Sequence, residues 1–243
     1  MAIVWIGFVF VAGCSVWADE KADIRQAESL FEKGVKEERQ QKFDEAERLF
    51  REALETYPLL PGAWVELGQV AMTRRDYETA VECYQRAEAT YLALHDKKRM
   101  ELQQIQNKTL DYLQRADDYY GIGVRGGGGF ARSEGLAAKD NHVLDKRRVI
   151  PENLEAEIPA LLYLYLAGAY LRLGELEPAE QELLKGIRRD PELAPLHFNL
   201  AVIHLARGEY PQAAEAARTA RDKGFQVPAP FIQDLETRGK LKF

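Results

Sequence analysis

The sequence predicts an all-α solenoid built from antiparallel helix pairs, and two observations carry this prediction. The first is a 34-residue period, because similar residues recur at that offset in two separate parts of the chain. The second is the pattern inside the period, in which small residues and large apolar residues follow helical spacing. One such unit cannot bury its apolar face alone, so neighbouring units are expected to stack and form a continuous core.

The composition is typical of a soluble globular protein, since the 243 residues are 46% hydrophobic and 30% charged. With two cysteines and four histidines, we expect no disulfide framework, no metal or cofactor site and no catalytic residues. The net charge of −6 argues against nucleic-acid binding, which requires a basic surplus. Residues 1–94 hold 11 Lys and Arg against 17 Asp and Glu, so the acidic surplus belongs to the first part of the chain.

Residues 1–18 are predicted to be a signal peptide, because they carry no charge and contain an apolar run of about ten residues, about half of a membrane span. The small residues before Cys14 resemble a bacterial lipobox, in which the cysteine carries lipid after cleavage. By resemblance to Gram-negative lipoproteins, Ser15 implies the outer membrane and a periplasmic orientation. No Lys or Arg precedes the run, so cleavage after Ala18 with secretion, or an uncleaved anchor, remain alternatives.

Two repeats are predicted within residues 19–94, at 27–60 and 61–94. Gly34 and Gly68 are expected to be small because the two helices of each repeat approach closely there. Six positions of the first repeat recur 34 residues later: Leu30, Gly34, Phe43, Ala46, Phe50 and Ala53 become Trp64, Gly68, Tyr77, Ala80, Tyr84 and Ala87.

Residues 95–159 break the period and are predicted to be a helical insertion or a degenerate repeat. The last helix of the second repeat either runs on past Leu94 or breaks near His95. A glycine-rich loop is predicted at 121–129, because each glycine costs a helix about 1 kcal/mol relative to Ala. Its G-x-G-x-x-G match lacks the preceding strand that dinucleotide binding requires. The candidate binding loop consists of Tyr119, Tyr120, Arg125 and Phe130.

Two further repeats are predicted in residues 160–227, followed by a capping helix and tail in 228–243. Pro228 suits a helix start, and the apolar residues after it share one face. The residues of the third repeat again recur at the 34-residue offset: Tyr163, Ala167, Tyr170, Leu176, Ala179 and Leu183 become His197, Ala201, His204, Tyr210, Ala213 and Ala217.

This pattern resembles the tetratricopeptide repeat (TPR) over 27–94 and 160–227. The resemblance implies a right-handed solenoid in which the fifth, sixth and ninth positions of each first helix line a concave groove. A groove of this kind accepts a helix or an extended peptide of a partner protein. The lysine and asparagine clamp of chaperone-binding TPR domains is not expected, because no Lys stands at these positions. The candidate groove residues are Phe31, Val65, Glu66, Gln69, Leu164, Tyr165, Phe198 and Asn199.

We therefore expect an envelope-localised TPR scaffold or adaptor that binds protein partners and assists assembly of a membrane-associated complex. An enzyme or ligand-binding protein that uses the glycine-rich loop is one alternative, and a self-associating structural protein is another. Part of the apolar groove can also be explained by packing within the chain itself. The sequence predicts neither the partner nor the oligomeric state.

Overall fold

The computed structural model describes residues 9–120 and 156–239, and within these ranges the regular structure is entirely helical. The all-α prediction is therefore confirmed. In chain order the helices are α1 (Val9–Arg39), α2 (Phe43–Thr56), α3 (Pro61–Thr73), α4 (Tyr77–Tyr120), α5 (Ala160–Leu173), α6 (Leu176–Arg189), α7 (Ala194–Ala206), α8 (Tyr210–Asp222) and α9 (Ala229–Arg238).

The chain divides into two compact units, of which the repeat unit comes from residues 1–91 and 158–243 and the insertion unit from 92–157. In the repeat unit, α1 packs against α2, α5 against α6 and α7 against α8, and each pair also contacts the next helix. The core of these pairs is apolar and dominated by alanine on the second helices, where Ala46, Ala179 and Ala213 are fully buried. This arrangement is the predicted solenoid of helix pairs.

The predicted small positions are points of close contact between the two helices of a repeat. A Cβ atom added to Gly34 would lie 2.5 Å from the Phe50 ring, and one added to Gly68 would overlap the Tyr84 ring. The rings of Phe50 and Tyr84 are buried, so neither can move aside without loss of packing. The glycines are therefore required by the aromatic rings that cover them.

The turn inside each repeat uses a left-handed backbone residue at one fixed position. This residue is Gln41 (φ 62°), Arg75 (φ 64°), Gly174 (φ 81°) or Gly208 (φ 77°) in the four repeats. Glycine adopts this conformation without a steric penalty, whereas Gln and Arg do not. The first two repeats thus carry a backbone cost that the last two avoid.

The third repeat packs directly on the second, although 65 residues (95–159) separate them along the chain. The Tyr165 ring of α5 stacks on the Tyr84 ring of α4, with centroids 5.8 Å apart. Gln85 Nε2 donates a hydrogen bond of 2.8 Å to Tyr170 Oη. The stacking of repeats therefore continues across the point where the sequence period is interrupted.

The insertion begins as a direct extension of α4, which runs without a break to Tyr120. Of the two alternatives for this helix, continuation past Leu94 is the one observed. Tyr119 and Tyr120 of the candidate binding loop are the last residues of α4, while Arg125, Phe130 and the glycine-rich segment 121–129 lie outside the described residues. Across the described ranges, no helix combines the length and apolarity needed to cross a membrane.

The predicted capping helix is α9, which covers the last helix pair. Phe231 and Leu235 are its buried residues. The Phe198 ring of α7 lies 4.5 Å from the Phe225 ring and 5.2 Å from the Phe231 ring, measured between centroids. These aromatic contacts close the apolar end of the repeat unit.

Candidate functional site

The groove face consists of the eight candidate groove residues, all of which lie on the first helices of their repeats and are half-buried. Helix α1 carries Phe31 and α3 carries the next three residues. Helices α5 and α7 carry two each. The groove face is therefore a row of side chains contributed by four successive first helices.

Three apolar residues of the groove face are also used for packing inside the repeat unit. The Phe31 ring tilts against Phe50 with centroids 5.7 Å apart. Leu164 packs against the buried apolar cluster formed by α5, α6 and α7. Phe198 is held between Phe225 and Phe231, as described above. Internal packing thus accounts for part of the apolar character that the sequence assigns to this face.

One groove-face residue, Glu66, interacts electrostatically with a carboxyl group of the neighbouring first helix. Glu66 of α3 and Glu38 of α1 each shift the pKa of the other. Burial, together with the negative charge and hydrogen bond of Glu38, raises the pKa of Glu66 to about 7, against the opposing charge of Arg39. Burial also raises the pKa of Glu38, while the hydrogen bond from Glu66 lowers it.

Two stacked tyrosine rings lie within the electrostatic range of Glu66. Tyr84 is fully buried, and Tyr165, which stacks on it, is half-buried. The charge of Glu66 acts on both rings, and burial is the larger cause that raises the pKa of each tyrosine. The charge of Glu66 on α3 therefore acts on residues of α1, α4 and α5.

Sequence reasoning identified Glu66 and Tyr165 as groove residues but missed Glu38 and Tyr84. Glu38 lies one helical turn after Val35, a ninth-position residue of α1, so helical periodicity extends the groove face to it. Tyr84 belongs to a second helix, and its ring reaches the site only because Gly68 leaves room for it. Helical spacing could therefore have indicated Glu38, and the small residue Gly68 could have indicated Tyr84.

A separate recess of about 680 Å³ lies at the turn between α1 and α2, away from the groove face. Arg74 Nη2 bonds Asp44 Oδ1 at 2.5 Å, and Arg48 Nη2 bonds Glu45 Oε1 at 2.5 Å along its walls. The first of these pairs connects the end of α3 to α2. We interpret the recess as a structural junction between two repeats.

The described residues contain no cluster of three or more His, Cys, Asp and Glu that could hold a metal ion. Burial raises the pKa of the Cys83 thiol to about 11, so this cysteine stays protonated at neutral pH. His197 Nε2 donates to the Pro191 carbonyl oxygen at 2.8 Å, and His204 Nδ1 bonds Glu209 Oε2 at 2.6 Å. These side chains have internal structural partners.

Comparison with known proteins identifies a family. The Tetratricopeptide repeat pattern matches residues 31–91 and 166–227, just over half of the 243 residues. No curated protein sequence matches the chain. Among solved structures, PilF of Pseudomonas aeruginosa is 15% identical, with 90% of this chain and 86% of that chain covered and a TM-score of 0.39.

Two more solved structures are similar to the chain. PilW, described as a widely conserved type IV pilus biogenesis factor, is 14% identical, with 88% of this chain and 86% of that chain covered and a TM-score of 0.43. A thermophilic TPR protein of Thermus thermophilus is 19% identical, with 87% of this chain and 96% of that chain covered and a TM-score of 0.36.

Proposed function

Because the chain belongs to the tetratricopeptide repeat family, we propose that it is a scaffold or adaptor that holds a segment of a partner protein along the groove face. Stacked repeats of this type form extended binding surfaces from residues that are far apart in the sequence. The observation that carries the proposal is the set of half-buried side chains that four successive first helices contribute, with Tyr165 stacked on Tyr84 where the sequence period is interrupted. The partner segment is a helix or an extended peptide, which is the shape that such a row of side chains accepts.

Site-specific photocrosslinking in cells that produce the full chain tests this proposal. A benzophenone amino acid replaces Val65 on the groove face, and the matched control carries it at Glu55, an exposed residue of α2. We expect Val65 to crosslink reproducibly to one partner protein that the Glu55 position does not reach. Identical crosslinking patterns at the two positions would contradict the proposal.

The second part of the proposal is that lipid on Cys14 fixes the scaffold to the cell envelope, where it assists assembly of a membrane-associated complex. The support comes from the uncharged residues 1–18 and the small residues before Cys14. Cleavage before Cys14 would leave the first-repeat part of α1 intact, because that helix continues to Arg39. The anchor would hold the groove face near the membrane without contributing to it.

Labelling with a palmitate analogue tests the anchor, and the chain provides its own control. Cys14→Ala should abolish labelling and move the protein out of the membrane fraction, whereas Cys83→Ser should keep both properties because Cys83 is buried in the repeat unit. If the Cys14→Ala protein stays in the membrane fraction with its label, the lipid anchor is wrong. The groove proposal would stand independently of that result.

A further inference from the structure

Helix α1 connects the proposed lipid anchor to the groove face without an interruption. The helix runs over Val9–Arg39 and contains both Cys14 and Phe31, the groove residue of the first repeat. Among the residues of α1 with a described exposure, Ala27 is the first one that is buried, in an apolar cluster that also contains Leu49 of α2. The helix therefore continues toward Cys14 beyond the place where it enters the core of the repeat unit.

The part of α1 directly before Ala27 lies at the surface. Within residues 20–26 each side chain is either half-buried or exposed. The exposed residues are Lys21, Ala22, Asp23, Arg25 and Gln26. Because the apolar core begins only after these residues, the conformation of this part depends mainly on the helix itself.

The composition of residues 15–26 explains why the helix persists there. The segment contains neither Gly nor Pro, and six of its 12 residues are Ala, Glu, Lys, Arg or Gln, which have high helix propensity. The first turn of a helix is costly to form, but the packed residues 27–39 already supply it, and each further residue then adds one hydrogen bond. A linker of Gly and Ser would instead be a flexible coil.

The length of the helix limits how far the groove face can lie from the membrane. Phe31 follows Cys14 by 17 residues, which corresponds to about 26 Å along an α-helix. A tilt of the helix only lowers this height, so about 26 Å is its upper limit. Residues 15–26 alone span about 18 Å as a helix, whereas a flexible linker of the same length could reach about 40 Å.

We propose that residues 15–26 of α1 are a rigid stalk, which keeps the Phe31 end of the groove face within about 26 Å of the lipid headgroups. This inference rests on the proposed lipid anchor and adds the geometry of its connection to the groove. Holding the groove in one layer raises the local concentration of binding segments that lie in that layer and lowers it for all others. The stalk thus selects a partner segment that lies close to the membrane.

Energy transfer to labelled lipids measures the position of the repeat unit. The full lipidated chain is placed in vesicles of phosphatidylethanolamine and phosphatidylglycerol that carry an acceptor dye on their headgroups. The donor dye is attached at Glu55→Cys, an exposed position of α2, because Cys83 is buried and Cys14 carries the lipid. We expect a narrow distribution of transfer efficiencies, and replacement of residues 16–26 by Gly and Ser should make it about twofold broader.

A matched pair of insertions between Ala22 and Asp23 tests the stalk without removing any residue. About two helical turns of Ala, Glu and Lys should move the donor away from the lipid by up to about 11 Å and keep the distribution narrow. The same number of Gly and Ser residues should broaden it instead. If the unaltered chain gives a distribution as broad as the Gly and Ser chains, the stalk is wrong and the anchor stands. If the unaltered chain carries no lipid and does not bind vesicles, both are wrong.

The same insertions test the selection of the partner in cells, with the photocrosslinker at Val65. The helical insertion should lower the yield of the partner crosslink at least about threefold relative to the Gly and Ser insertion, because only the helical one forces the groove away from the membrane. Equal yields from the two insertions would overturn the membrane-proximal location of the partner segment. That result would leave the groove function standing, since the crosslink itself would persist.

Discussion

The close contact between Gly68 and Tyr84 leads to a prediction whose sign depends on the tertiary structure. Gly68→Ala improves the intrinsic helix propensity of α3 by about 1 kcal/mol. The new methyl group would, however, overlap the Tyr84 ring, which is 1% exposed and stacked on Tyr165. Overpacking of this kind costs about 1–3 kcal/mol, so after the gain in helix propensity we expect a net loss of up to about 2 kcal/mol in the free energy of unfolding.

Gly168 of α5 is the matched control, because it also lies inside a first helix. A Cβ atom added there meets no other described residue within 4 Å. Gly168→Ala should therefore stabilise the protein by about 0.5–1 kcal/mol. Urea unfolding followed by circular dichroism measures both variants, and for a chain of this size 1 kcal/mol corresponds to about 2–4 °C in Tm. If Gly68→Ala is as stable as Gly168→Ala, the contact does not constrain the repeat.

A second-site change tests the mechanism directly. The third repeat already combines alanine with an aliphatic residue at the equivalent positions, Ala167 and Leu183, and both are buried in one core cluster. In a Tyr84→Leu background, Gly68→Ala should therefore lose its cost and become neutral or stabilising. If the cost of Gly68→Ala is the same in both backgrounds, the aromatic ring is not its cause.

Three further predictions concern other parts of the repeat unit. Glu66 has a folded pKa of about 7 against an ordinary value of 4.5. Its contribution to folding stability is therefore full below about pH 4.5 and is lost as the pH rises through 7. Between pH 5 and 8 the wild type should lose about 1–2 kcal/mol more stability than Glu66→Gln in urea titrations, after allowance for solvent exposure, and parallel profiles would contradict this. Gly174→Ala should lower the free energy of unfolding by about 1 kcal/mol and Arg75→Gly should raise it by about 0.5 kcal/mol, because both residues have a left-handed backbone conformation. Unfolding midpoints that move in the opposite directions would refute this explanation of the turns. Phe198→Ala should lower the free energy of unfolding by about 2–3 kcal/mol and should increase amide exchange more in α9 than in the other helices. An equal increase in all helices would show that the Phe198 ring does not stabilise the capping helix.

The sequence by itself determined the helix pairs, because each depends on local and periodic information. The 34-residue offset located the equivalent positions, and the size of Gly34 and Gly68 indicated where helices approach. Helical spacing also assigned Val65, Glu66 and Tyr165 to the same face of their first helices. These features follow from the period of an α-helix and from steric volume, both of which can be read directly along the sequence.

The candidate site was decided by the tertiary structure. The period is interrupted after the second repeat, so no offset predicts that Tyr165 stacks on Tyr84 across the insertion. The raised pKa of Glu66 likewise depends on the distance between two helices and on burial from water, and neither quantity is a property of a single residue. A sequence specifies which side chains face outward from a helix, but only the packing of helices specifies which charges must share one site.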